Sequence, residues 1–312
     1  MRPLREILLE EYWTVALRRR VPGGELPLGT SNAKPFTLFK PPKDYWLADP
    51  FLFEEAGETW LFFEQFDNQL GRGAIACSRL RGAELSPLQI VLAEPHHLSY
   101  PCVFRRGNGI YLLPECAQTG AVTLYRCVEF PLRWEPCQIL LDNARMVDST
   151  HFIDDDGKEW LFTAQLTDEQ FRTRLCLYAI DANGQWIPHP QNPLAEGMDV
   201  RPAGGIVNLD RRHFRPAQIS EHGQYGTGLV FQAIDALTED AYAESEARRV
   251  MPSDIPLDNR SKAPIGLHTY ALSAEYEAVD LKFQRVNVRR MGWILRGRMK
   301  NARCAQHFPN DF

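Results

Sequence analysis

Asp49-Pro-Phe-Leu-Phe53, a glycine at 57 and Thr59-Trp-Leu-Phe-Phe-Glu64 make a pattern that the chain repeats. The second copy is Tyr100-Pro-Cys-Val-Phe104, Gly109 and Ile110-Tyr-Leu-Leu-Pro-Glu115. The third is Asp148-Ser-Thr-His-Phe152, Gly157 and Glu159-Trp-Leu-Phe-Thr-Ala-Gln165. The fourth, more degenerate, is Arg201-Pro-Ala-Gly-Gly205, Asp210 and His213-Phe-Arg-Pro-Ala-Gln218. The starts are separated by 51, 48 and 53 residues. Each copy reads as two strands rich in aromatic and branched residues, joined by a Gly, Asn or Asp turn. A third strand follows at 74–79, 122–127 and 175–180, and a fourth at 89–92 and 138–141. Four strands in about 50 residues is the period of a propeller blade.

Four blades leave the stretch around 260–290 over. Gly266-Leu-His-Thr-Tyr-Ala-Leu-Ser273 and residues 281–288 supply two strands of a fifth. Residues 11–17 and 36–39 are expected to complete it from the N-terminal side, which removes free sheet edges. The expected fold is therefore an all-β, five-bladed β-propeller over residues 1–288. Short helical segments are expected at 3–11 and 237–248, and a basic tail over 289–312.

The chain has 312 residues, 44% of them hydrophobic, with 17 Phe, 10 Tyr and 7 Trp. That is ample apolar area for a core and excludes a disordered chain. No apolar run reaches the roughly 18 residues that span a bilayer. Glu6, Glu10 and Glu11 interrupt the N-terminus where a secretory leader needs apolar residues, so a cytoplasmic protein is expected. A net charge of −5 argues against a nucleic-acid partner. Seven cysteines without a CxxC pair read as packed thiols rather than a zinc or disulfide framework. Eight basic and no acidic residues between Lys282 and Arg303, around Met291-Gly-Trp-Ile-Leu295, suit peripheral contact with an anionic inner-membrane surface.

In a propeller the residue opening each innermost strand and the residue ending the next one meet at one mouth of the channel. The repeat thus gathers Asp49, Tyr100, Asp148 and Arg201 with Glu64, Glu115, Gln165 and Gln218, and His268 from the fifth blade. Carboxylates at one mouth suit general acid–base chemistry. Arginine suits a phosphate or sugar carboxylate, and Arg215 is a second candidate for that task. Trp46 and Tyr100 supply rings for sugar C–H faces. His96-His97 is a poor metal pair, since neighbours on a strand point to opposite faces. Asp154-Asp-Asp-Gly157 falls where the repeat needs a β-turn.

Trp46-Leu-Ala-Asp-Pro-Phe-Leu-Phe53, Trp60-Leu-Phe-Phe-Glu64, His97-Leu-Ser-Tyr-Pro101, Leu113-Pro-Glu115, Val147-Asp-Ser-Thr150 and Arg215-Pro-Ala-Gln218 together resemble one known domain. It is the glycosidase-like domain at the N-terminus of plant glucosamine inositolphosphorylceramide transferases. Similar domains occur in bacteria, some beside sugar formyltransferase-like modules. The resemblance covers roughly residues 12–285 and implies a five-bladed propeller. More distantly the chain is similar to family 43 glycoside hydrolases. That likeness implies a general base at Asp49, an orienting Asp at Asp148 and a channel cation beside His268; otherwise no cofactor is expected. It also implies a glutamic acid donor at the start of blade four, where Arg201 stands instead.

Two outcomes are open. Glu115 or Glu64 supplies the proton from a neighbouring blade, making the protein a hydrolase or transferase of intracellular polysaccharide or glycolipid synthesis that acts on an acidic or phosphorylated sugar. Otherwise catalysis has been lost, and the propeller binds glycan for a separate glycosyl- or formyltransferase.

Overall fold

A computed structural model describes residues 9–21, 26–28, 33–41, 44–82, 84–142, 145–258 and 262–286. Five antiparallel sheets form five blades. Blade one is Tyr45–Glu55, Glu58–Asp67 and Arg72–Arg81, flanked by Glu84–Leu85 and Gln89–Leu92. Blade two is Ser99–Arg106, Gly109–Glu115, Val122–Glu129 and Arg133–Leu141. Blade three is Met146–Ile153, Glu159–Leu166 and Thr173–Ile180, with Trp186–Pro188 and Ala195–Gly197 outside. Blade four opens with two pieces, Arg201–Pro202 and Val207–Leu209, and continues through Arg212–Glu221, Gln224–Leu237 and Tyr242–Val250.

Blade five closes the ring from both parts of the sequence. Gly266–Leu272 and Tyr276–Val286 are joined by Leu9–Arg19 and then Thr37–Leu38. Leu9–Arg19 pairs with Tyr276–Val286 along its whole length. A buried network fixes that register: Arg18 Nε lies 2.5 Å from Glu277 Oε2, and the Tyr270 hydroxyl donates to Glu277 Oε1 at 2.8 Å. Arg18 also stacks over the Phe36 ring at 4.5 Å.

The expected helix at 237–248 is absent; Tyr242–Val250 is the outer strand of blade four, paired with Gln224–Leu237. Of the expected helix at 3–11, residues 9–11 are strand and the rest lie outside the described residues. The basic tail at 289–312 also lies outside them. The six cysteines among the described residues are free, and five of these are wholly or partly buried. No described helix is long and apolar enough to cross a membrane.

Apolar side chains from adjacent blades interlock between the sheets, as in the cluster that joins Phe51 and Phe62 to Leu112, Leu124 and Trp134. Four innermost strands break register at one shared place: between Ala48 and Phe51, Ser99 and Cys102, Val147 and Thr150, and Leu267 and Tyr270. The residues that open three of these bulges, Asp49, Tyr100 and Asp148, have φ of 52°, 46° and 51°. Such angles are uncommon for residues other than glycine, and strain of this kind concentrates at functional sites. In blade four the break spans Ala203–Ile206, and Gly204 has φ +129°.

Candidate glycan site at the channel mouth

The bulges turn Asp49, Asp148 and His268 toward one end of the channel. Asp49 is buried, and each of its oxygens is held. Oδ1 accepts from the Thr269 hydroxyl at 2.9 Å and Oδ2 from the Tyr100 backbone N–H at 3.1 Å. Its own N–H donates to Asp280 Oδ2 at 2.9 Å. Asp280 is fully buried, and its Oδ1 accepts the backbone N–H groups of His268 and Thr269 at 3.1 and 2.9 Å. This carboxylate satisfies the donors freed by the fifth-blade bulge.

His268 stands between two carboxylates, with Nδ1 2.6 Å from Asp280 Oδ2 and Nε2 3.4 Å from Asp49 Oδ1. Burial disfavours its charged form, but Asp280 and Asp49 outweigh that and raise its pKa. Trp13 from the closing strand stacks on His268 at 4.0 Å, and Tyr225 meets the same ring edge-on at 5.3 Å.

A cation beside His268 does not fit this arrangement. Asp49, His268 and Asp280 place ligand atoms within 4.8 Å of one another. The two Asp280 oxygens, however, already take three backbone N–H bonds, and the two Asp49 oxygens are taken by the Thr269 hydroxyl and the Tyr100 N–H. The trio holds Asp49 in place.

On the other side of the mouth, Arg201 grips Asp148 through Nε and Nη2, the latter 3.1 Å from Asp148 Oδ1. Nη2 also lies 3.3 Å from Glu115 Oε2. The guanidinium packs over Tyr225 at 5.4 Å. Arg201 pairs with Gln218 as Ala48 pairs with Glu64 and Ser99 with Glu115, so it stands one place before the Asp49 position.

Glu64 is buried, and burial raises its pKa well above the ordinary carboxylate range, with Asp49 and Glu115 adding to the effect. Glu115 is raised likewise, by burial first and Asp148 second, against the opposing pull of Arg201. Burial raises Asp49 too, to about 6; His268 counters it, and Asp280 and Asp148 add to it. The mouth thus holds three carboxyls whose charged forms burial disfavours, in unlike surroundings: Asp49 beside His268, Glu115 beside Arg201 and Glu64 beside neither.

Several expected mouth residues are placed elsewhere. Arg215 is sealed inside blade four, paired with both oxygens of Glu244 at 2.8 and 2.6 Å and with the Val200 carbonyl at 2.9 Å, so it is spent on packing. The Tyr100 ring is buried, edge-on to Phe51 at 4.9 Å; its hydroxyl meets Thr150 Oγ1 at 2.8 Å and accepts from the Gly204 N–H at 2.7 Å. Only its backbone serves Asp49. Gln165 pairs with Met146, one place past the glutamate register, where Ala164 stands opposite Val147. Gln218 is buried and donates to Ser220 Oγ at 3.3 Å. Trp46 stacks on Phe66 at 4.3 Å, and Phe66 meets His97 edge-on at 6.0 Å, which makes an aromatic wall beside Glu64.

Asp280, Trp13, Tyr225 and His97 were not foreseen. Asp280 had a legible signal, a single charge in the apolar run Ala278-Val-Asp-Leu281. Trp13 depends on closure, His97 on a loop and Tyr225 on the hairpin end of its strand, none of which the repeat pattern encodes.

The family described as "Glucosamine inositolphosphorylceramide transferase 1, N-terminal" matches residues 40–262. Glucosamine inositolphosphorylceramide transferase 1 of Oryza sativa subsp. indica is 33% identical over 206 residues, and that of Arabidopsis thaliana 33% over 208. Each match covers 64% of this chain and 27% of the relative, so the chain spans about a quarter of those proteins' length. Among solved structures, a thermostable family-43 glycoside hydrolase superposes with a TM-score of 0.52 at 10% identity, covering 76% of this chain and 89% of that one. An endo-1,4-beta-xylanase from Bacteroides thetaiotaomicron gives 0.51 at 12% identity, covering 72% and 79%. These structural likenesses show the fold. Matched over most of its length, the chain belongs to the family of glucosamine inositolphosphorylceramide transferase 1 N-terminal domains.

Proposed function

We propose that the domain is a glycan-active enzyme module of glycolipid or polysaccharide assembly, cleaving or transferring a glycosyl unit at the carboxylate mouth. The observation that carries this reading is the gathering of Asp49, Glu64, Glu115 and Asp148 at one mouth, with Asp49 held by Thr269 and the Tyr100 N–H and Glu115 beside Arg201. Asp49, with a pKa of about 6, is largely ionised at neutral pH, while Glu64 and Glu115 are held toward the protonated form. Asp49 takes the proton from the attacking hydroxyl, of water in hydrolysis or of an acceptor sugar or lipid in transfer. A protonated glutamate gives its proton to the departing glycosidic oxygen. Asp280 and His268 hold Asp49, and Trp46 offers a ring to the sugar. An acidic or phosphorylated sugar is the substrate class that a guanidinium such as Arg201's, on the Asp148 side of the mouth, would favour. The relatives' name, glucosamine inositolphosphorylceramide transferase 1, includes a phosphorylated lipid and accords with an anionic glycolipid. Of the basic stretch 282–303, Lys282 is buried and donates to the Tyr225 carbonyl and Arg285 pairs with Glu10, so these two are spent within blade five. Contact of the remaining basic residues with an anionic membrane would accord with a lipid-linked substrate, and equal liposome flotation without residues 289–312 would remove that idea.

A second reading has its own support. Arg201 is committed to Asp148 and Glu115, and the chain matches only 27% of the named transferases. On that reading the mouth binds glycan and presents it to chemistry elsewhere. A panel of 4-nitrophenyl glycosides, including acidic and furanosidic sugars, together with activated glycosyl donors, separates the two. Turnover by the wild type supports the enzyme; saturable binding without turnover of any member supports the binding module.

A further inference from the structure

Of the two mouth glutamates, Glu64 and Glu115, we infer that Glu64 is the proton donor and that the loop residue His97 is its positioning residue. This rests on the enzyme reading above. Glu115 has a guanidinium beside it, Arg201 Nη2 at 3.3 Å, which favours its ionised form. Glu64 has no such partner among the described residues. Burial first, and then the carboxyls of Asp49, Glu115, Asp280 and Asp148, disfavour a negative charge on it.

His97 comes from the loop between Gln89–Leu92 of blade one and Ser99–Arg106 of blade two. That loop is tied down where the Leu98 N–H donates to the Gly73 carbonyl at 3.1 Å. The Gly73 N–H donates to His97 Nδ1 at 2.9 Å. A ring that accepts at Nδ1 carries its proton on Nε2. Burial, and His96 beside it, push the His97 pKa down to about 4, so the ring is neutral near pH 7. Nε2 faces Glu64 Oε1 at 3.6 Å, and neither buried atom has another hydrogen-bond partner. That separation is longer than a formed hydrogen bond; catalytic contacts of free enzymes often tighten when substrate binds. Gly73 permits the approach, because a Cβ there would overlap Glu64 Oε1 and the Leu98 carbonyl.

The consequence is an assignment of oxygens. Once the contact tightens on substrate binding, Oε1 accepts from His97 Nε2–H, so the acidic proton sits on Oε2. In the reaction the Oε2–H bond breaks as its proton passes to the glycosidic oxygen, and the bond from that oxygen to the anomeric carbon breaks with its electron pair leaving on the oxygen. The new bond forms from the attacking hydroxyl, whose proton goes to Asp49. The His97 Nε2–H then stabilises the carboxylate left on Glu64, which regains a proton from solvent.

The test uses the full chain and three readings. Carbon NMR of the side-chain carboxyls is expected to show Glu64 protonated at pH 7, and nitrogen NMR to show the Nε2–H tautomer of His97. Glu64→Gln is expected to lose about 10²–10⁴-fold on glycosides with poor leaving groups and little on 2,4-dinitrophenyl glycosides, which need no acid. Glu115→Gln should show no such selectivity. His97→Phe should lower kcat on poor leaving groups with KM unchanged and move the alkaline limb to higher pH, since an N–H donor to the carboxylate is gone; His97→Gln, which keeps an N–H, should restore part of both. An ionised Glu64 in an active wild type, or leaving-group selectivity that moves to Glu115→Gln, overturns this assignment alone. A wild type that turns over no glycoside or donor overturns the enzyme reading beneath it.

Discussion

Asp280 receives three backbone N–H groups and contacts His268, although it projects from the second strand of its blade and was no part of the repeat. Its removal frees three buried donors, so Asp280→Ala is expected to cost more than a single lost hydrogen bond, about 3 kcal/mol or more by denaturant unfolding. Arg201 has the opposite character, a cation shared by Asp148 and Glu115. Arg201→Gln leaves Asp148 buried without its partner, and a loss of about 3–5 kcal/mol is expected. The pH dependence follows from Asp49. A base must be ionised, so the rate should fall as pH drops through about 6, the raised value set by burial. An acidic limb near 4 in the profile of kcat/KM would show a base with an ordinary carboxyl instead. Stability near Arg215 runs the same way. Arg215 holds Glu244 below its ordinary value despite burial, so that contribution is complete above the unfolded pKa and is lost as pH falls through the lowered folded one.

At the scale of the element, the innermost strands were legible and the outer ones less so. Asp49-Pro, Tyr100-Pro and Asp148-Ser open the repeats, and each turns out to open a bulge with a left-handed residue, a backbone feature that the repeat pattern alone does not encode. Residues 237–248 misled for a physical reason. Their Ala, Glu and Arg content favours helix, but Gln224–Leu237 offers a free strand edge, and tertiary pairing overrides propensity. Gln165 misled by one place: aligning Trp160 with Trp60 puts Ala164, not Gln165, beside Glu64 in the repeat. The break in blade four depends on Gly204, whose φ of +129° and close approach to the Tyr270 carbonyl leave no room for a Cβ. Gly204→Ala is expected to destabilise by more than about 3 kcal/mol. Tyr100→Phe, which removes the buried hydroxyl bonded to Thr150 and Gly204, should cost about 1–3 kcal/mol.

For the whole molecule, closure and site are one event. The strand Leu9–Arg19 completes blade five and also brings Trp13 onto His268, so the mouth is finished only when the chain's two parts pair. A chain lacking residues 1–20 exposes the long edge Tyr276–Val286, and size-exclusion chromatography is expected to show aggregate in place of monomer. The repeat made the ring and its carboxylates readable in advance. It did not make readable His97, which a connecting loop carries across to blade one, nor the capture of Arg215 by Glu244. The measurement that tests the central claim most directly compares wild type and Asp49→Asn for both glycan binding and glycosyl turnover. The account predicts affinity within a few-fold of wild type and turnover at least about 10²-fold slower. Turnover equal to that of the wild type would contradict it.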